Sequence, residues 1–524
     1  MKTSLPFLFA PLILFGGSLC GGPIHDAVEA DDIEGLRSIV SADRKALEEK
    51  DDLGNTALLL AAYTGGDEAL SFLLENHADI NARNKAGYTP LLIAAQNGFA
   101  KTVGILLANG ADTKDRTPDG ATALLLATER ELYEVMQVLL YNHADPNASS
   151  NDGAAPLFMA AQNGDDKAVR LLLEHHADPD LTISTAQGAK HSCLFIASQN
   201  GHLETVRQLL DAGAGGDQGN DKLSGALVTA VRSNRPAVAS LLLDRGADIN
   251  GLIDGFTPLA HAIAVKKSDI ARMLLDKGAE VNLRFGEFEL SALMVATIFE
   301  QTDVVQMLLE RKADLNARTV DGETSLLLAT QQKNQEIARL LVEKGADVNG
   351  ADNKGSTPLI WASIHGETET ARLLLDRGAD VSARTLDQGF QSLHIAAQEG
   401  HLEIVKLLLA HGADIHAMKP SDGCEALAFA VHNNHLDVVR FLLENGSDAN
   451  AVDNDGDTPL NEATLVKADL EIVRLLVEKG ADVNHMDKKG NTPLSMAEKN
   501  GSAETIRFLL EHGAKKTEPS VEKK

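Results

Sequence analysis

The stretch Gly87-Tyr88-Thr89-Pro90-Leu91-Leu92-Ile93-Ala94-Ala95-Gln96-Asn97-Gly98 decides how this chain folds. Thr89 is a residue type that caps helix N-termini, and Pro90 follows at the first helical position, where its missing N–H costs nothing. The spacing predicts a short helix from there that ends at Asn97 and Gly98. A second helix is expected over residues 101–108, where Val103, Leu106 and Leu107 recur at helical spacing and supply a buried stripe. Gly110 suits its C-terminal cap, which needs a left-handed backbone, and Ala111 and Asp112 lead into the next turn.

Working outward from Leu91, the motif Gly-Xaa-Thr-Pro-Leu returns along the whole chain. Its leucine falls at Leu58, Leu91, Leu124, Leu157, Leu194, Leu227, Leu259, Leu293, Leu326, Leu359, Leu393, Leu427, Leu460 and Leu494, mostly 33 or 34 residues apart. It is complete at residues 87–91, 255–259, 355–359, 456–460 and 490–494 and degraded elsewhere. A fixed period of this length is the signature of stacked supersecondary units. The fold class it predicts is an all-α helix-turn-helix solenoid, elongated and curved. Each unit touches only its neighbours in such an array, so stability is a local sum.

The chain resembles the ankyrin repeat family. The turn motif carries the resemblance, together with Ala94-Ala95 and its equivalents, the Leu-Leu of each second helix, and Gly-Ala-Asp-Val-Asn at 345–349 and 480–484. The family's Thr-Pro-Leu-His survives only in part, as Ser392-Leu393-His394, so a hydrogen bond that braces the family's turns is expected to be mostly absent. The resemblance implies a protein that binds other proteins through its turn tips and first helices.

The expected organisation is a signal peptide at 1–20, an N-terminal capping repeat at 21–53, and repeats at 54–212. A glycine-rich hinge at 213–225 follows, then repeats at 226–514 and a charged, disordered tail at 515–524. Residues 1–20 carry Lys2, an apolar run over 5–15 and small residues before Cys20, the order of a secretory signal. Export to the periplasm or the medium is expected. The alternative is a lipid anchor at Cys20, although Leu19 departs from the small residue that lipidation signals place there. The spacing from Leu157 to Leu194 is 37, four residues longer than the period of 33, which predicts an enlarged turn around 182–191.

Composition agrees with an array of small helices. The 524 residues exceed one ordinary domain, and Phe, Tyr and Trp together make up only 4%, with Trp361 the single tryptophan. The net charge of -28 excludes nucleic acid as a partner and serves solubility first, while remaining compatible with a basic target. Beyond Cys20, Cys193 and Cys424 are too few for a disulfide framework and, in units five and twelve, too far apart to bridge.

No nucleophile elbow, phosphate loop, zinc-protease pair or CxxC is present, so no catalytic residue, cofactor or metal is expected and the chain is read as no enzyme. His175, His176, Asp178 and Asp180 have ligand chemistry, but they occupy the helix-end and turn places of His77, Asp79, His143 and Asp145 and are read as structural. Function then rests on the surface. Counting from each reference leucine, the places at six, five and three before and five and six after are expected to be exposed. In the second unit these are Lys85, Ala86, Tyr88, Gln96 and Asn97.

Most units are polar at these places, whereas the seventh and eighth present Phe256, Phe288, Leu290, Ile298 and Phe299. With Ile364 and Phe390, these residues are the expected partner-binding anchors across units seven to eleven. Against this stands the reading that the eighth turn folds its aromatics inward. The functional expectation is an exported scaffold for protein–protein interaction, acting as a monomer without a membrane span. The alternative is a secreted toxin or host-directed effector built on the same array.

Overall fold

The computed structural model describes residues 21–184, 190–215 and 220–516. The signal expected at 1–20, Cys20 within it, and the tail beyond residue 516 lie outside the described residues. Within them thirty α-helices alternate as first and second members of fifteen pairs, from Pro23–Glu29 with Ile33–Ala42 to Pro493–Asn500 with Ala503–Glu511. The chain divides into two units, Met1–Gly251 with seven of the pairs and Leu252–Lys524 with eight. Inside each unit, helices pack within their pair and against the adjacent pairs. No described helix is long and apolar enough to cross a membrane.

Within the stretch 87–98 the helix is Pro90–Asn97, with the Thr89 hydroxyl accepting the Leu92 N–H and Gly98 ending the helix at φ 86°. Its partner, Ala100–Ala108, begins one residue earlier than expected and closes on Gly110 at φ 93°. Thr56, Thr122, Thr257, Thr324, Thr357, Thr458 and Thr492 cap their helices as Thr89 does. His77, His143 and His176 stand where other units place the closing glycine, and all three take the left-handed backbone, at φ 67°, 63° and 66°. That conformation costs a non-glycine residue roughly 1–2 kcal/mol, which the surrounding stack must offset.

First and second helices are built differently because they are covered differently. The first are apolar almost all round, as in Leu58, Leu59 and Leu60, since neighbouring first helices and their own partners enclose them. Second helices such as Thr368–Asp376 bury one stripe, Ala371, Leu374 and Leu375, and turn charge outward. The Asp-Xaa-Asn that ends about half of the repeats has a defined task. Asp347 accepts the N–H of Asn349 at 2.9 Å, and Asn349 accepts the next unit's Asp380 N–H at 2.8 Å while donating to the Gly378 carbonyl at 3.2 Å. Asn450 and Asn484 repeat this stitch.

The histidine brace exists at unit eleven. His394 is fully buried, accepts the Gln391 N–H at 3.1 Å through Nδ1 and reaches the Ala417 carbonyl at 2.8 Å through Nε2. Asn461 and Ser495 reproduce its local half, accepting the Thr458 and Thr492 N–H groups. In the enlarged turn, Thr182–Ser184 and Lys190–Ser192 pair antiparallel, with residues 185–189 outside the described residues. Of the glycine-rich 213–225 segment, residues 216–219 lie outside them. The helix Asn220–Arg232 starts within the segment and contains Gly225.

Candidate functional site

The place three residues before each reference leucine stands where the turn meets the first helix. In Leu252–Lys524 it carries Phe256, Leu290, Glu323, Ser356, Phe390, Cys424, Asp457 and Asn491 in chain order. One backbone geometry thus presents aromatic, aliphatic, acidic, thiol and neutral polar side chains in different units.

Of the expected anchors, Phe256, Phe288 and Phe299 are exposed, at 37%, 57% and 36%, while Leu290, Ile298, Ile364 and Phe390 are half-buried. The eighth turn divides its aromatics. Phe285, 4% exposed, pairs with Leu290 as an isolated bridge and meets Phe256 edge-on at 5.8 Å between ring centres. Phe288 lies at the tip, where its carbonyl accepts the Val320 N–H of the next turn and its side chain stays in solvent. The exposure rule is corrected at the place three before the reference leucine in five units, where Asn55, Tyr88, Ala121, Ala154 and Ser224 are buried, and at Gln96, which is buried too.

Ile364 and Phe390 are brought together in one groove of about 540 Å³, which Trp361 also lines. Asp321, Glu323, Asp352, Asp387 and Glu399 surround them, with Lys354 as the single lining Lys or Arg. The Trp361 ring packs on His365 at 5.6 Å, and its Nε1 is buried with no acceptor. Burial, and then Lys333, hold the His365 pKa below its ordinary value. Phe390 is fixed from behind by Phe429 at 5.4 Å and by the Lys419 Nζ, 4.4 Å from its ring centre. Lys419 is buried and pairs with Asp422 at 2.5 Å.

Gln398 belongs both to this groove and to a second cavity of about 420 Å³ between the helices Ala426–His432 and Pro459–Leu465. Five carboxylates line the second cavity, those of Asp422, Glu425, Asp453, Asp457 and Glu462, and no Lys or Arg does. Phe429 forms part of its wall. His432 Nδ1 lies 2.5 Å from Glu462 Oε1, and His416 Nδ1 lies 3.5 Å from Glu425 Oε1. Burial pulls Asp422 upward, but the Lys419 ammonium and the Cys424 N–H outweigh it and hold the group below the carboxylate range. Asp457 goes the other way: burial, then the charges of Asp453, Asp487 and Glu462, push it up to about 6.

Neither described cysteine is poised for chemistry. Burial raises both thiols to about 12, Asp178 adding to it at Cys193 and Asp422 and Asp453 at Cys424, so neither supplies a thiolate near neutral pH. Both are unbridged. Asp178 and Asp180 are taken up in turn geometry: Asp178 accepts the Asp180 N–H, and Asp180 accepts the Gly215 N–H at 3.0 Å and faces Lys222 at 3.2 Å.

Trp361, Phe429 and Glu462 were missed because they sit two residues after their reference leucines, a place the exposure rule did not count. The signal was present in the lone tryptophan and in Phe429, which stands at the same register two units further on.

A comparison with curated proteins finds no match. The family model for ankyrin repeats (3 copies) matches nine overlapping segments: 24–117, 111–183, 157–252, 194–285, 254–319, 293–385, 349–419, 393–487 and 427–520. Those segments take in nearly every described residue, and they coincide with the helix pairs, capped turns and Asp-Xaa-Asn stitches. The chain belongs to the ankyrin repeat family.

Proposed function

We propose that this ankyrin repeat protein is an exported, non-enzymatic scaffold that binds a protein partner through the turn and first-helix face of Leu252–Lys524. The observation that carries this reading is the groove where Trp361, Ile364 and Phe390 meet a rim of carboxylates. A few aromatic and aliphatic anchors in a concave setting carry most of the energy of a protein interface, and a polar rim orients it. Phe256, Phe288, Leu290, Ile298 and Phe299 extend the contact surface toward the seventh unit. Export rests on the residue order at 1–20, and the working form is a monomer.

Affinity purification from the native envelope, with Ile364→Ala and Phe288→Ala beside the unaltered chain, tests the reading. A partner recovered by the unaltered chain and lost at least tenfold by one variant, with both variants folded, supports it. Equal recovery by all three contradicts it. Mature protein found in the culture medium rather than the envelope replaces the resident scaffold with the effector alternative.

A further inference from the structure

The 420 Å³ cavity between Ala426–His432 and Pro459–Leu465 has a charge arrangement that the fold does not require. Asn55 and Asn491 occupy the register of Asp457 in two other units, where each side-chain amide donates to the aspartate four residues earlier, at 2.9 Å to Asp51 and 2.8 Å to Asp487. Asp457 cannot donate when ionised. Asp453 accepts the Asp455 and Asp457 N–H groups through Oδ1 and faces the Cys424 thiol through Oδ2 at 3.8 Å, so the amide that bridges this register in the other two turns has no counterpart here. Asp457 Oδ1 is buried and unpartnered.

Glu425 is a second, independent sign. It lines the same cavity, only 6% of it is exposed, and its Oε2 has no hydrogen-bond partner. A buried carboxylate oxygen left without a donor is costly, and a cation entering the cavity removes that cost. Among the described residues, no group of His, Cys, Asp and Glu side chains converges closely enough to hold a metal ion. The carboxylates are spread around a space of about 420 Å³ with Phe429 in the wall, and of them Glu425 and Glu462 each face a histidine through Oε1, His416 at 3.5 Å and His432 at 2.5 Å. Guanidinium suits that geometry better than ammonium, because its planar fork spans separated carboxylates and stacks on aromatic rings.

We propose that this cavity is an arginine-binding pocket, taking the guanidinium of an arginine side chain from the protein partner between Asp453, Asp457, Glu425 and Glu462. The pocket rests on the scaffold reading for the source of the arginine, but its chemistry is testable without any partner.

Ligand-observed NMR titration of the full chain with N-acetyl-arginine amide, its lysine counterpart and the neutral isostere N-acetyl-citrulline amide tests it. The arginine probe should bind, the lysine probe more weakly, and the citrulline probe at least tenfold more weakly than arginine. Asp457→Asn should weaken arginine binding tenfold or more while keeping the fold, since asparagine is the residue that Asn55 and Asn491 place in this register. Asp269→Asn, on the exposed face of Ser268–Asp276, should change nothing. Glu462→Gln provides a second variant and should also weaken binding. No arginine binding, equal binding of arginine with lysine or citrulline, or unchanged binding by Asp457→Asn and Glu462→Gln overturns the pocket. If these arms fail while Ile364→Ala still loses its partner, the scaffold reading survives without it.

Discussion

Asp457 pits stability against binding at a single side chain. Its pKa of about 6 lies above the 3.8 of an unperturbed aspartate, so the folded protein holds this proton more tightly than the unfolded chain does. Ionised Asp457 therefore lowers stability. The penalty is full above about pH 6, shrinks as pH falls through that value, and is gone below the unfolded pKa. Burial and the charges of Asp453, Asp487 and Glu462 cause it, and Lys489 opposes it. Asp457→Asn should raise the unfolding midpoint at pH 8, with an added hydrogen bond to Asp453 worth on the order of 1 kcal/mol. The gain should contract at pH 4, as read by thermal melts at both values. A variant less stable than the parent at pH 8 would mean that the two carboxylates are already satisfied. A residue that weakens its own turn is expected where selection favours a ligand over stability.

Within one turn, neighbouring residues of one type have opposite tasks. Phe285→Ala should destabilise by about 3 kcal/mol, because it empties a buried contact with Phe256. Phe288→Ala should stay within about 0.5 kcal/mol, because its ring already meets water. Chemical denaturation of the two variants decides this, and a large loss for Phe288→Ala would return that residue to the core. The helix pairs were legible in the sequence because threonine caps, first-turn prolines and left-handed glycines are local devices whose geometry follows from residue type, as at Thr89, Pro90 and Gly98. The grooves were legible only in part. Ile364 and Phe390 were found, since apolar residues at turn places stand out. Asp457 looks like any turn aspartate until it is aligned with Asn55 and Asn491, and Glu425 and Phe429 gain meaning only from what lies across the cavity. Tyr88 and Gln96 were misjudged for the same reason, since burial at those places depends on the neighbouring unit.

At the scale of a whole unit, a stack joined by neighbour contacts should fail locally. Leu442 is fully buried in Leu436–Glu444, and Leu442→Ala should cost about 3 kcal/mol. Hydrogen exchange should then speed up in that helix and in its neighbours Leu402–Ala410 and Leu470–Glu478, while Pro258–Ala264 keeps its protection. Uniform acceleration throughout Leu252–Lys524 would indicate a single cooperative block. The same locality lets one stretch of the array carry five carboxylates around a single cavity without disturbing the rest. The central claim is that partner contact runs through the grooves at Trp361, Ile364 and Phe390 and at Asp457. Site-specific photo-crosslinking in the native envelope tests it most directly, with the crosslinker placed at Ile364, at Asn433 in the wall of the second cavity, and at Tyr141, an exposed residue in the other unit. The account predicts one shared crosslinked partner at Ile364 and Asn433 and none at Tyr141; a partner captured at Tyr141 and at neither groove position would contradict it.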